Sequence, residues 1–182
     1  MSTLTDNQVI QIFLPIINQG LIADNFLNVT VKQSNQPTQQ GIPITPVVFF
    51  FKVANKRFGF TGHNDVYNDD ESKLEHHDIQ YIESTFRVSA LVLQYPITPN
   101  QYTASDLVNE VASILMSSNT IDILNNSGIG ILRITDIINP YFVDDRDNFE
   151  ASPSFDFTLV YKSDRISSVP VITNYDYNLV PI

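Results

Sequence analysis

Residues 79–95, IQYIESTFRVSALVLQY, limit what this chain can become more than any other stretch. Ile82, Ser84, Phe86, Val88, Ala90 and Val92 fall on every second position, the period of a strand with one face on a core. The intervening positions change character along the run. Tyr81, Glu83, Thr85, Arg87 and Ser89 are polar or mixed, whereas Leu91, Leu93 and Tyr95 are apolar. The strand therefore begins with one wet face and ends with both faces covered. At about 3.3 Å per residue it spans roughly 55 Å, against a radius of gyration of about 16 Å for a compact chain of this size. A straight strand overshoots such a body, so it must bend, carry a bulge, or project and pair with something.

The 182 residues fit one domain. Ten prolines against six glycines suit extended segments and turns rather than long helices. Cysteine is absent, which removes disulfides and thiolate metal sites and fits a protein assembled inside a cell. The opening MSTLTDNQ lacks the basic region of a secretory signal, and no apolar run approaches the ~20 residues of a membrane span. Ten basic residues against twenty acidic ones leave a net charge of −10. That argues against tight nucleic-acid binding, which needs clustered Lys and Arg to displace counterions. Two readings stand: solubility, or a surface that DNA passes without sticking.

A first helix is expected over 5–20, with Thr5 as N-cap and Gln8 three positions on, the capping-box spacing. Val9, Ile12, Phe13 and Ile16 make its apolar stripe, Pro15 should kink or end it near Leu14, and Gly20 offers a stop. A short strand over 26–32 precedes a polar, proline-bearing loop over 34–46. An interior strand over 46–54 follows, then a turn over 55–57, a short returning strand over 58–61, and an exposed acidic loop over 62–75. A second helix opens at Thr103 with Asp106 at the capping-box position and Leu107, Val108, Val111, Ile114 and Leu115 on one face. The pattern breaks at 117–119, resumes for a turn or two, and closes at Gly128. Strands are expected over 129–138 and 155–161, the second with Phe155, Phe157, Leu159 and Tyr161 inward. Residues 166–182 read as an extended arm, too apolar for a solvated tail. The sum is a single α+β domain, a mainly antiparallel sheet with helices packed on it, its body over about 1–165 and its arm over 166–182.

Catalytic chemistry finds little support. His63, His76 and His77, with Asp65, Asp69, Asp70 and Asp78 nearby, imitate a metal site. They lie in a polar stretch where His76 and His77, if extended, point to opposite sides, so solvated loop side chains are the favoured reading and no metal is expected. Asp69, Asp70, Glu71 and the cluster Asp144, Asp145, Asp147 sit in no apolar pattern that would raise a carboxyl pKa. No nucleophile elbow and no phosphate-binding glycine motif is present, and no cofactor is expected. Tyr175 and Tyr177 are equally read as binding aromatics or packing residues.

The segments FLPIINQGL, VTVKQSNQPTQQGIPITPVVFFFKV, STFRVSALV, TASDLVNEVASILMS, GIGILRITDIINPYFVDDRDNFEASPSFDFTLVY and SSVPVIT, in this order and spacing, resemble the neck gateway or tail-terminator proteins of tailed bacteriophages with contractile tails. The most recognisable parts are residues 33–37 and 131–161, and the length of 62–75 departs from the family's pattern. The resemblance implies a structural virion protein, not an enzyme. It implies a ring, usually a hexamer, between head-completion proteins and the tail tube, with sheath or collar proteins nearby and the genome crossing its lumen. It brings no catalytic residue. A ring needs one patch to meet a different patch next door. Leu91, Leu93 and Tyr95 are one candidate; the arm, with Val169, Val171, Tyr175 and Tyr177, is another, expected to cross to the adjacent subunit. Asp69, Asp70 and Glu71, or Asp144 and Asp145, are expected to line the lumen and keep phosphates from adhering. A tail-completion or baseplate adaptor of similar fold, a glycan-binding module and an acid-dependent hydrolase are the alternatives.

Overall fold

The computed structural model describes residues 4–33, 45–93, 100–143 and 149–170. Among these described residues three helices, α1 (Asp6–Ala23), α2 (Ala104–Met116) and α3 (Ser118–Asn126), accompany seven strands. These are β1 (Thr30–Gln33), β2 (Val47–Asn68), β3 (Lys73–Leu91), β4 (Ile129–Ile134), β5 (Tyr141–Val143), β6 (Phe149–Ala151) and β7 (Ser154–Pro170). The main sheet has the order β1-β2-β3-β7-β4. Among the described strands β1 and β2 run parallel and the other neighbours are antiparallel, with β5 and β6 forming a separate pair. This is the expected α+β architecture. Among the described residues no helix is long and apolar enough to cross a membrane.

Both capping boxes form. The Thr5 amide donates to Gln8 Oε1 at 2.8 Å, and the Thr103 amide donates to Asp106 Oδ2 at 2.8 Å while the Asp106 amide donates back to Thr103 Oγ1 at 3.1 Å. α1 does not stop at Pro15 or Gly20. Its stripe of Val9, Phe13, Ile16, Ile17 and Leu21 is buried throughout, so packing carries the helix past the proline, which is exposed. Gly20 is a crossing point rather than a terminator: a Cβ there would lie 2.7 Å from Ile114 Cγ2 of α2. The left-handed residues that let the chain turn away are instead Asn25 and Asn28, at φ 64° and 63°. Gly128, at φ 73°, closes α3 as expected.

The helices cover one face of the sheet. Phe13 sits edge-on to Phe50 of β2, Phe86 of β3 and Phe157 of β7, with ring centroids at 5.1, 5.3 and 5.5 Å. Around it Val48, Val88, Ala90, Leu107, Val111, Leu115, Phe155 and Leu159 are buried, so the even face of the long strand and the inward face of 155–161 meet the helices as their alternation requires.

The long strand resolves its excess length by projecting. β3 starts six residues earlier than expected and ends at Leu91, and with β2 and β7 it extends beyond the helices as a three-stranded antiparallel ribbon. Its nineteen residues span about 63 Å. The turn expected over 55–57 is incorrect and the exposed loop expected over 62–75 shrinks to a turn at 69–72, because β2 is continuous to Asn68 and β3 begins at Lys73. Some of their polar side chains find partners across the ladder: Asn55 Oδ1 accepts from Ser84 Oγ at 2.5 Å, and His63 and Asp65 face Asp78 and His76. A strand with water on both faces has no apolar alternation to announce it. Of the arm expected over 166–182, residues 166–170 instead continue β7 on the Lys73–His77 part of β3, and 171–182 lie outside the described residues. A truncation after Arg165 therefore removes part of the ribbon's third strand.

Candidate assembly surface

The ribbon leaves two unlike edges. β1 covers β2 only along Val47–Phe50, and β4 covers β7 only along Phe157–Tyr161. Beyond these points the outer edge of β2, to Asn68, and that of β7, to Pro170, have no strand partner among the described residues. Such edges are templates for pairing with another chain.

Midway along, the ladder jumps from the pair Phe58–Tyr81 to the pair Gly62–Ile79. Residues 59–61 thus oppose Gln80 alone, a β-bulge. Gln80 organises it. Its Nε2 donates to the carbonyls of Phe58 and Gly59 at 3.2 and 3.0 Å, and its Oε1 accepts from Thr61 Oγ1 at 3.0 Å. Gly59 takes φ 72°, a conformation that its lack of a Cβ makes inexpensive. The result pushes Phe60 out of the sheet: its relative exposure is 102%. Nearer the tip, Tyr67, Leu74 and Val169 are register neighbours across all three strands and are exposed. Phe58 and Tyr81 form a second exposed pair on the ladder. Exposed apolar side chains thus recur on both faces of the projection, the Leu74 row on one and the Phe58–Tyr81 pair on the other.

The residues expected to form the subunit interface separate accordingly. Val169 belongs to the ribbon row. Leu91 is half-buried opposite Val47 at the body end of β3, and Leu93 is exposed just beyond it. Tyr95, Val171, Tyr175 and Tyr177 lie outside the described residues, as do Asp144 and Asp145. Asp69, Asp70 and Glu71 occupy the turn at the far tip, where Asn68 Oδ1 accepts from the amides of Asp70 and Glu71 at 3.1 and 3.3 Å. Phe58, Phe60 and Tyr67 were missed, since they fell in the expected short strand and acidic loop; their recurrence in an otherwise polar stretch is the signal that was available.

The ribbon also gathers all three histidines. On the face continuous with the core, His63 Nδ1 lies 2.7 Å from Asp78 Oδ1 and His76 Nδ1 lies 2.5 Å from Asp65 Oδ1. The hydrogen bond that His76 donates to the Asp65 carboxylate raises the His76 pKa above its usual value, with partial burial opposing and the charges of Asp65 and Asp78 assisting. His77 points to the opposite face, where Nδ1 is 3.1 Å from Asp164 Oδ1. The adjacent histidines do diverge, as extended backbone requires, but the residues around them are paired strands and not a solvated loop.

No curated protein matches the chain. Among solved structures it is similar to the sheath/tube terminator of PVC, an extracellular contractile injection system, determined by cryo-EM in the extended state. The TM-score is 0.51 at 12% identity, and the likeness covers 100% of this chain and 65% of that one, so this chain accounts for about two thirds of the other's length. The resemblance is one of fold. Residues 8–171 match the model of the family described as E217 gateway protein gp29, a span that takes in the body and the ribbon, and the chain belongs to that family.

Proposed function

We propose that copies of this chain close into a hexameric ring at the neck of a contractile-tailed phage. The ring joins head-completion proteins to the tail tube, with sheath or collar proteins alongside, and the genome crosses its lumen. Membership of the gateway family makes the chain a structural component of the neck rather than an enzyme. The observation that supports the ring is the pair of unlike open edges on one apolar ribbon. The β2 edge of one subunit meeting the β7 edge of the next is a heterologous contact, the kind that generates rings. In this arrangement the ribbons stand around the lumen, and the acidic tip, Asp69, Asp70 and Glu71, faces passing phosphates with like charge. Residues beyond Pro170 dock on the adjacent subunit, and assembly takes place in the host cytoplasm before the ring enters the virion. Cryo-EM of assembled particles tests the reading. Density for this chain as a ring at the head–tail junction supports it. Particles carrying the chain only at the baseplate, or a neck ring whose subunits touch through their helices with the ribbons apart, overturn it.

A further inference from the structure

We propose that His63, His76 and Asp78 form a binding site for a divalent transition-metal ion of the zinc class, with Asp65 as the group that orients His76. The register sets the constellation: His63 pairs with Asp78 and Asp65 with His76, two residues apart on each strand, so all four side chains share one face of the ribbon. The ligating atoms of His63, His76 and Asp78 all lie within 4.8 Å of one another. Asp78 Oδ1 is already 2.7 Å from His63 Nδ1 and 3.4 Å from His76 Nε2. Ligand atoms around a tetrahedral zinc ion, at about 2.0–2.1 Å from the metal, stand about 3.4 Å apart. The separations present, from 2.7 Å to at most 4.8 Å, bracket that spacing.

The arrangement has a feature that ion pairing alone does not need. Asp65 holds His76 through Nδ1, which directs Nε2 toward Asp78. A carboxylate on one imidazole nitrogen with the other nitrogen turned to the metal is the usual support of a zinc-bound histidine. The two imidazole planes lie 16° from parallel with centroids 5.6 Å apart, so the rings stack side by side on the ribbon face. Imidazole with carboxylate suits zinc, nickel or cobalt rather than magnesium or calcium. Arg165 stands opposite Asp78 across the β3–β7 ladder, yet among the described residues it forms no ion pair with it, and the carboxylate stays available. Three protein ligands leave a coordination position open to water. Every ligand comes from one chain, so the site forms with or without a ring.

Calorimetric titration of the EDTA-stripped full-length chain with zinc chloride, paralleled by cobalt(II) visible absorption, tests the assignment. One ion per chain is expected, with absorption of low-coordinate cobalt. His63→Ala, His76→Gln and Asp78→Asn should each weaken binding at least about tenfold, and Asp65→Asn by about 10- to 100-fold. His77→Ala, altered on the opposite face, should bind as wild type. The four side chains are exposed or half-exposed, and His76→Gln keeps bulk and polarity, so circular dichroism can verify that the variants fold. Absence of saturable binding near one ion per chain overturns the proposal. So does wild-type affinity in a His63→Ala/His76→Ala double variant, or a loss in His77→Ala equal to that in His76→Gln.

Discussion

Replacing Phe60 with serine separates what the ribbon does within a subunit from what it does between subunits. Phe60 is fully exposed at the crest of the bulge, and Gln80 bonds to the backbone and to Thr61, not to the phenyl ring. Phe60→Ser therefore removes almost no contact within the chain, and its effect on folding should stay within about 0.5 kcal/mol, as for other surface substitutions. In the proposed ring the phenyl group of Phe60 is expected to be covered by the neighbouring subunit. Burying a phenylalanine side chain contributes about 1.5–3 kcal/mol, so each interface should weaken by about 10- to 150-fold, and the loss recurs at every interface of a closed assembly. Thermal melting measures the first quantity; sedimentation velocity over a concentration series measures the second, with Phe60→Leu as the variant that keeps the apolar bulk. An unchanged melting temperature with assembly shifted to higher concentration is the expected pair of results. Unaltered assembly in Phe60→Ser would refute the interface, and a melting temperature lowered by several degrees would show that Phe60 packs on its own chain.

Further outcomes concern the body. Phe13→Ala removes the ring that touches three strands at once and should cost about 3–5 kcal/mol in urea denaturation. Gly20→Ala places a Cβ 2.7 Å from the β-branched Ile114; overpacking of about 1–3 kcal/mol outweighs the roughly 1 kcal/mol gained in helix propensity. In an Ile114→Ala background that cost should largely vanish, which a double-mutant cycle in denaturant reads directly. The acid limb of the stability profile should depend on Asp106. The Thr103 amide, then the Thr103 hydroxyl, hold its carboxylate below the ordinary aspartate value despite some burial. A depressed folded-state pKa adds stability that is present above the unfolded-state value and is lost as pH falls through the folded one. Asp106→Ala should therefore be destabilised at neutral pH and should lose less stability than wild type on acidification across that window, as followed by melting temperature against pH.

What could be read in the sequence depended on whether a segment faces a core. The capping boxes at Thr5 and Thr103 were legible because each needs only two residues at a fixed spacing. The inward row Phe155, Phe157, Leu159 and Tyr161 was legible because one face of β7 meets α1 and its neighbours while the other does not. The same strand past Tyr161, and β2 past Phe51, lose that contrast, and their polar residues match the signature of a loop. Pairing between His63 and Asp78, or between Asp65 and His76, depends on a register that sequence spacing alone does not define once a bulge has added residues to one strand. The bulge itself was legible only as Gly59 beside an unexpected aromatic. Pro15 misled for a related reason: local propensity argues for a break, and the burial of five side chains on α1 overrides it.

The central position of β3 also sets the order in which the chain can fold. Its pairing with β2 closes outward from the turn at Asn68–Lys73, beginning with residues only five apart, so it is local and fast. Its pairing with β7 joins Ser89 to Ser154 and Lys73 to Pro170, residues 65 and 97 positions apart. At a synthesis rate of about 5–20 residues per second, Pro170 follows Lys73 by roughly 5–20 s. During that interval the hairpin exists with the inner edge of β3 bare, and the run Glu75, His76, His77 and Asp78 along it supplies charged side chains of the kind that discourage premature pairing. A complete ribbon, with both of its proposed ring-forming edges in place, appears only once synthesis has passed Pro170.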